Sequence, residues 1–547
     1  VRSKPAVEPL DVLSVPLQGM NLIEAAAGTG KTWTIVALYL RLILEKAIPV
    51  DRILVVTYTT AATEELRDRV RKRLVEARND LIRGRSDDTF SQRLIASAQP
   101  REQFLKYLNH AILNFDKAAI FTIHGFCQRV LTESAFESAM PFETEILTDE
   151  WEILQEIVDD FWRCEVYGAD RLWVQYLGSK CPTPERLAQT IRGYTGKLYL
   201  HILTPESAAD CAPLCAEYRR IYARLYRLWP DCRDELEEML TTDSHLNRKS
   251  YKRELIPTWF IQMDAFLATE AANLRRFKEF DRFTARALSK AIKKNGRPLV
   301  HEFFNACDDL QDAHDALSAC FDVGYQHLKA RLLDYAREEL KTRKRRGQIQ
   351  SYDDLLINLR QALAGAGGRG FAKKLRHDYQ AALIDEFQDT DPIQYDIFQR
   401  IYGDREQPVF LVGDPKQAIY SFRGADIFAY LSARNAAQRQ YTLDVNWRSV
   451  PNLVLAVNAL FGSIESPFVF DTIAFNDAKA ADTAHKTLAV EGQTPASLSV
   501  WLLERRDDEK HITKGRATES CVSATAREIA HLLNLATRER ASIDEEP

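Results

Sequence analysis

At 547 residues, 46% of them hydrophobic and 28% charged, the chain has the composition of an ordinary globular protein and is too long for one core, so three or four domains are expected. A formal net charge of −5 excludes a chain that is basic all over and leaves nucleic-acid binding to local patches. No stretch approaches the roughly eighteen apolar residues of a membrane span, no charged-then-apolar secretory pattern opens the chain, and the nine scattered cysteines, with no second pair after Cys211 and Cys215 at metal-ligand spacing, read as reduced thiols of a cytoplasmic protein.

The chain opens on Val1 and reads as one whose native start has been trimmed. In Pro16-Leu-Gln-Gly19, the amide of Gln18 offers the donor and acceptor pattern that suits the adenine N6 and N7 edge, although alone it reads as a surface glutamine. A strand-like run (Asn21, Leu22, Ile23) then leads through Ala25-Ala-Ala-Gly-Thr-Gly-Lys-Thr32 into a helix-like run from Trp33 to Leu44. That order is a phosphate cradle. Gly28 and Gly30, with Thr29 between them, let backbone N–H groups and the positive end of the new helix face a polyphosphate. Lys31 is suited to the β and γ phosphates of ATP and the Thr32 hydroxyl to Mg²⁺. Ala25 stands where the usual pattern has its first glycine, which requires only that the position avoid positive φ.

Ile53-Leu-Val-Val-Thr-Tyr-Thr-Thr60 reads as a buried parallel strand whose carboxyl end carries Thr57, Thr59 and Thr60, where open α/β sheets bind ligands. A helix follows with Leu66, Val70, Leu74, Ala77 and Leu81 on one face and a run of arginines on the others, which reads first as a solvated face. Ala119 to Arg129 is again strand, turn and helix; its His124 alone reads as a core histidine. From Asp149 the spacing of Trp151, Leu154, Ile157, Val158 and Phe161 is helical, and no strong strand returns for about two hundred residues. This insertion carries basic spots at Lys290 to Arg297 and Lys341 to Arg346 and ends at a flexible-looking Gly365-Ala-Gly-Gly-Arg-Gly370.

The strand pattern resumes at Ala381-Ala-Leu-Ile-Asp-Glu386, delivering two carboxylates to the sheet edge that holds the cradle. Asp385 is suited to hold Mg²⁺ through water and Glu386 to take a proton from the attacking water. Val409 to Gly413 is another strand, followed by Gln417, Tyr420, Phe422 and Arg423; Tyr441 to Ser449 ends a strand with Trp447 and Arg448.

These stretches, in this order, resemble the motif series of the superfamily 1 DNA helicases, in the UvrD-type branch. His124-Gly-Phe-Cys-Gln-Arg129, Ala135-Phe-Glu-Ser138, Phe142-Glu143 and Ser351-Tyr-Asp-Asp-Leu-Leu356 resemble the RecB-like family of helicase-nuclease subunits within it. The resemblance is close over residues 8–145 and 345–460. It implies an α/β fold: a RecA-like P-loop ATPase domain (1–145 and 371–440) interrupted by a helical subdomain (146–370), then the truncated beginning of a second RecA-like domain (441–547). It implies ATP and Mg²⁺ as cofactors, with Gln18 reading adenine and Trp447 stacking on it. Gln417 would sense the γ-phosphate, and Arg448 would serve as an arginine finger. Tyr58, Phe422 and Tyr420 would stack single-strand bases, with Thr57, Thr59, His124 and Arg423 nearby. The implied activity is ATP-driven 3′ to 5′ movement on single-stranded DNA and from DNA ends, in double-strand break repair with RecC-like and RecD-like subunits and no membrane. A further motor segment with a second arginine, and a nuclease domain, belong to the family beyond residue 547, so no nuclease is expected of this chain. A UvrD-like or AddA-like helicase, or a non-catalytic DNA-binding subunit, is the alternative.

Overall fold

The computed structural model describes residues 7–86, 88–96, 100–135, 144–205, 210–293, 296–420, 424–482, 486–506 and 510–545. Contacts within the chain group it into two units, Val1–Phe142 with Leu355–Pro547, and Glu143–Asp354.

The first unit is built on a parallel sheet. Its strands are β1 (Val7–Pro9), β2 (Met20–Ala25), β3 (Ile53–Thr57), β4 (Ile120–Thr122), and, after the second unit, β7 (Ala381–Ile384), β8 (Val409–Gly413) and β9 (Arg439–Leu443). The order is β1-β9-β2-β8-β7-β3-β4, with every pairing parallel. β3, β7 and β8 are buried along their whole length, which is why they read as unbroken apolar runs: parallel strands covered on both faces have no solvent side to alternate toward. Pro9, which has no N–H to give, sits in the edge strand. Helix α1 (Lys31–Lys46) is buried from Thr34 to Leu44, whereas α2 (Thr60–Arg83) buries only Thr63 and the stripe Leu66, Val70, Leu74, Ala77 and Leu81 and leaves Arg69, Arg71 and Arg83 exposed. The sheet runs through Leu443, so Tyr441–Leu443 lie in this first sheet.

The glycine run at 365–370 is a tight joint and not a flexible spacer. Gly365 closes one helix by donating its N–H to the Gln361 carbonyl, and Gly368 opens the next (Gly368–Asp378). A Cβ on Gly368 would stand 2.1 Å from the Leu363 carbonyl oxygen, so the glycine is there for close packing.

The second unit begins and ends with the paired parallel strands β5 (Glu145–Leu147) and β6 (Ile349–Ser351) and is otherwise helical. Its long helices Ala212–Thr242 and Glu302–Gly347 pack along each other around an aromatic core that includes Tyr218, Tyr222, Trp229, Phe260, Phe283 and Phe303. One expectation is corrected here. Cys211 and Cys320 form a disulfide: the paired helices bring their Cα atoms to 6.0 Å, a proximity that a sequence separation of 109 conceals, while the remaining cysteines are free thiols. Within the basic spot at 341–346, Arg343 pairs with Glu156 and Asp160 and buried Lys344 pairs with Glu150 and Asp354, while Lys341, Arg345 and Arg346 are exposed.

After β9, the short β10 (Val445–Asn446) pairs with β11 (Lys479–Ala480), and β12 (Lys486–Val490) pairs antiparallel with β13 (Ala541–Glu545). Burial is sparse here. Leu455, Leu460, Val500, Trp501 and Leu502 are exposed, and Val454, Ile473, Ala481 and Leu535 are the buried apolar side chains beyond residue 450 among the described residues. Among the described residues no helix is long and apolar enough to cross a membrane.

Candidate active site

β2 delivers the phosphate loop. Its last residue, Ala25, is fully buried and is not among the described residues with positive φ, so alanine serves where the usual pattern has glycine. Gly28 and Gly30 do have positive φ, +79° and +92°. Gly28 also permits a close approach, since a Cβ there would stand 2.8 Å from Arg448 Cβ and 2.9 Å from Asn446 Oδ1. The loop is held from inside by the Thr29 hydroxyl, which donates to the Ala26 carbonyl at 2.8 Å. From outside, the Trp447 N–H donates to the Gly28 carbonyl at 2.8 Å and Asn446 Nδ2 to the Ala27 carbonyl at 3.1 Å. α1 starts at Gly30 with no side-chain cap, so its first N–H groups remain available to an anion.

The ends of β7 and β8 meet this loop through side chains. Lys31 Nζ lies 2.8 Å from Glu386 Oε2 and 3.3 Å from Gln417 Oε1. Glu386 has φ +47°, a left-handed backbone that costs a non-glycine residue energy and is characteristic of functional sites. Asp385 accepts the Glu386 N–H at 2.9 Å, and burial, assisted by the neighbouring Glu386 charge, pushes its carboxyl up to about 6. Asp385 and Thr32, in the first turn of α1, provide hard oxygens suited to Mg²⁺. Among the described residues no group of three or more acidic, histidine or cysteine side chains is placed to cage a metal, and Mg²⁺ bound chiefly by phosphate and water needs none.

A stability prediction follows from Asp385. Because its folded value lies above the ordinary 3.8, the group costs nothing below that pH and its full penalty above about 6, so its contribution worsens as pH rises between them. Asp385→Asn is expected to stabilise metal-free protein by up to about 3 kcal/mol near about pH 8 and hardly at all near about pH 4. Thermal melts in chelator at both values check this; equal shifts at the two would contradict it.

The nucleic-acid candidates are less uniform. Thr57 and Thr122 are register partners at the ends of β3 and β4, so Tyr58 and His124, both half-buried, follow neighbouring strand ends. Thr59 caps α2 by accepting the Ala62 N–H at 3.1 Å. Thr57 is buried, with its hydroxyl bonded to Thr63 and the Thr59 carbonyl, and so shapes the turn from within. Tyr420 is half-buried beyond β8; Phe422 and Arg423, and the stretch 136–143, lie outside the described residues. Trp447 and Arg448 are exposed beside the phosphate loop.

Gln18 is not brought to this site. It lies exposed before the amino end of β2, while the loop leaves the carboxyl end, about 20 Å of strand away. Its carbonyl accepts from Asn21 and Arg439 at that far edge. Sequence reading also missed Asn446 as the outer clasp of the loop and Lys416, whose ammonium lies 2.6 Å from Glu24 and 2.8 Å from Asp414. Nothing in the local spacing of either residue announces its partner.

Residues 10–438 match the family model of the UvrD/REP helicase N-terminal domain. The chain is similar to the RecBCD enzyme subunit RecB of Escherichia coli (strain K12), at 36% identity over 510 residues, covering 91% of this chain and 42% of that protein. It is similar to the same subunit of Haemophilus influenzae, at 32% identity, covering 91% of this chain and 44% of that protein, and of Buchnera aphidicola subsp. Schizaphis graminum, at 31%, covering 85% and 39%. The chain thus spans less than half the length of these curated relatives. With the family model covering most of its length, the chain belongs to the UvrD/REP helicase family and is RecB-like within it.

Proposed function

We propose that this chain is the motor portion of a RecB-like helicase subunit, which hydrolyses ATP with Mg²⁺ and uses the energy to move 3′ to 5′ along single-stranded DNA. The observation that carries the reading is the convergence of Lys31, Glu386 and Gln417 from the ends of β2, β7 and β8. Lys31 and the loop N–H groups hold the phosphates, Gln417 reads the γ-phosphate, Glu386 takes the proton of the attacking water, and Arg448 stabilises charge on the transferring group. Thr32, and Asp385 through water, would hold Mg²⁺, which would supply charge neutralisation at the phosphates. A non-catalytic DNA-binding subunit would have no use for this set together.

On this reading, the residues that follow β9, 444–547, are the opening of a second RecA-like domain, and the exposed apolar side chains beyond residue 450 support it as a surface built to be covered. On the likeness to RecB subunits we further propose RecC-like and RecD-like partners, DNA ends as substrate, a role in double-strand break repair and a cytoplasmic location. We assign no nuclease step to these residues. The test is DNA-stimulated phosphate release by the full-length protein, with unwinding of 3′-tailed against 5′-tailed duplexes. Loss of DNA stimulation, or a preference for 5′ tails, would overturn the proposal. Tyr58→Ala and Phe422→Ala are each expected to weaken single-strand binding by about 1 to 3 kcal/mol with little dependence on base sequence. Binding curves beside thermal melts check this, and unchanged affinity in a folded variant removes the residue from the strand path.

A further inference from the structure

Gln388 lies two residues beyond Glu386, in the short turn Phe387–Asp389, and is almost completely buried. A buried amide must find partners for its polar atoms. Here Nε2 donates to Glu386 Oε2 at 2.6 Å, and Oε1 accepts the Asp414 N–H at 2.9 Å. The amide has one possible orientation, because a backbone N–H only donates and a carboxylate only accepts. Gly413 makes room for it: a Cβ there would stand 2.6 Å from Gln388 Oε1. Asp414 Oδ2 accepts from Gln417 Nε2 at 2.8 Å, and Gln417 Oε1 accepts from Lys31. Lys31 donates to the same Glu386 oxygen that Gln388 holds. The contacts therefore close into a ring, Lys31–Glu386–Gln388–Asp414–Gln417, and Lys416 pins the remaining Asp414 oxygen to Glu24 on β2.

We propose that Gln388 is a positioning residue for hydrolysis, holding Glu386 by Oε2 so that Oε1 is aimed at the attacking water, and linking that aim to Gln417 through Asp414. This rests on the reading of Glu386 as the base. A polyphosphate competes with Glu386 for Lys31, and once Lys31 has turned to it, Gln388 is the donor that keeps the carboxylate in place. The ring also gives a physical route by which a displacement of Gln417 by the γ-phosphate reaches the base: both hang from Asp414, one on its side chain and the other on its N–H.

Gln388→Met in the full-length protein keeps the volume and loses both hydrogen bonds. The expected result is a kcat for DNA-stimulated ATP hydrolysis lower by about 10- to 100-fold, the scale of a misaimed reacting group, with KM and nucleotide affinity within about twofold. In a Glu386→Gln background the same substitution should change single-turnover phosphate release no further, since residues acting as one unit are not additive. Losses that multiply in the double variant, or a Gln388→Met protein with unchanged kcat, overturn this proposal and leave the base assignment standing. Full turnover by Glu386→Gln alone overturns the base assignment, and this proposal with it. Should Gln388→Met not fold, Gln388→Asn, which stays polar but is too short to span Glu386 and Asp414, is held to the same outcomes.

Discussion

Glu386→Gln is expected to lower DNA-stimulated ATP hydrolysis by about 10²- to 10⁴-fold while leaving ATP affinity equal or tighter, whereas Lys31→Ala removes most of the affinity itself. The asymmetry comes from the contact the two residues share. Lys31 Nζ is 2.8 Å from Glu386 Oε2, so a phosphate must compete with that carboxylate for the ammonium. Replacing the carboxylate by an amide removes the competitor's charge and leaves the cation to the phosphates, while, on the proposed role of Glu386, depriving the attacking water of its proton acceptor. Replacing the lysine removes a charge from the ground-state complex. Nucleotide titrations on both variants, beside phosphate release, decide the matter. Equal losses of affinity would show that the two residues do not have separate roles.

Arg448→Ala is expected to slow hydrolysis by about 10³- to 10⁵-fold with a much smaller effect on binding, the loss typical of an arginine that stabilises the transferring phosphoryl group. The backbone makes this position specific. Asn446 and Trp447 bond to the carbonyls of Ala27 and Gly28, and the Arg448 N–H donates to Asn446 Oδ1 at 2.9 Å, so the residue starts from a fixed point beside the loop. Its side chain is nonetheless exposed and free to reach toward a bound phosphate. Arg448→Lys should restore little, because a point charge does not reproduce the planar, two-pronged donor. Single-turnover phosphate release measures the loss; a rate within threefold or so of the parent would remove Arg448 from the reaction.

How much of this was legible in the chain depends on whether the cause was local. The strands ending at Thr57, Ile384 and Gly413 were readable because burial on both faces writes an unbroken apolar run, and the phosphate loop because positive φ at Gly28 and Gly30 demands glycine. The stripe from Leu66 to Leu81 was readable from its period. Gln18 misled because its distance along the chain from the loop is short, yet an extended strand converts those few residues into the width of the sheet. Thr57 misled because a hydroxyl at a strand's end serves a ligand or its own turn with the same spelling. The Cys211–Cys320 bond, the pairing of Lys344, and the Glu24–Lys416–Asp414 contact were invisible because each joins residues whose neighbourhood is made by the fold and not by sequence distance.

The strand order also sets a timetable for synthesis. β2, which carries the phosphate loop, is flanked by β8 and β9, and neither exists until the ribosome has passed Val409. At about 5 to 20 residues per second, the roughly 380 residues between them take about 20 to 80 s. During that interval β2 has two bare edges, while β3 and β4 can already pair. Until β8 and β9 are made, β2 is open to pairing with the wrong neighbour, and slow codons ahead of β8 would lengthen the period in which the strand that carries the phosphate loop is so exposed.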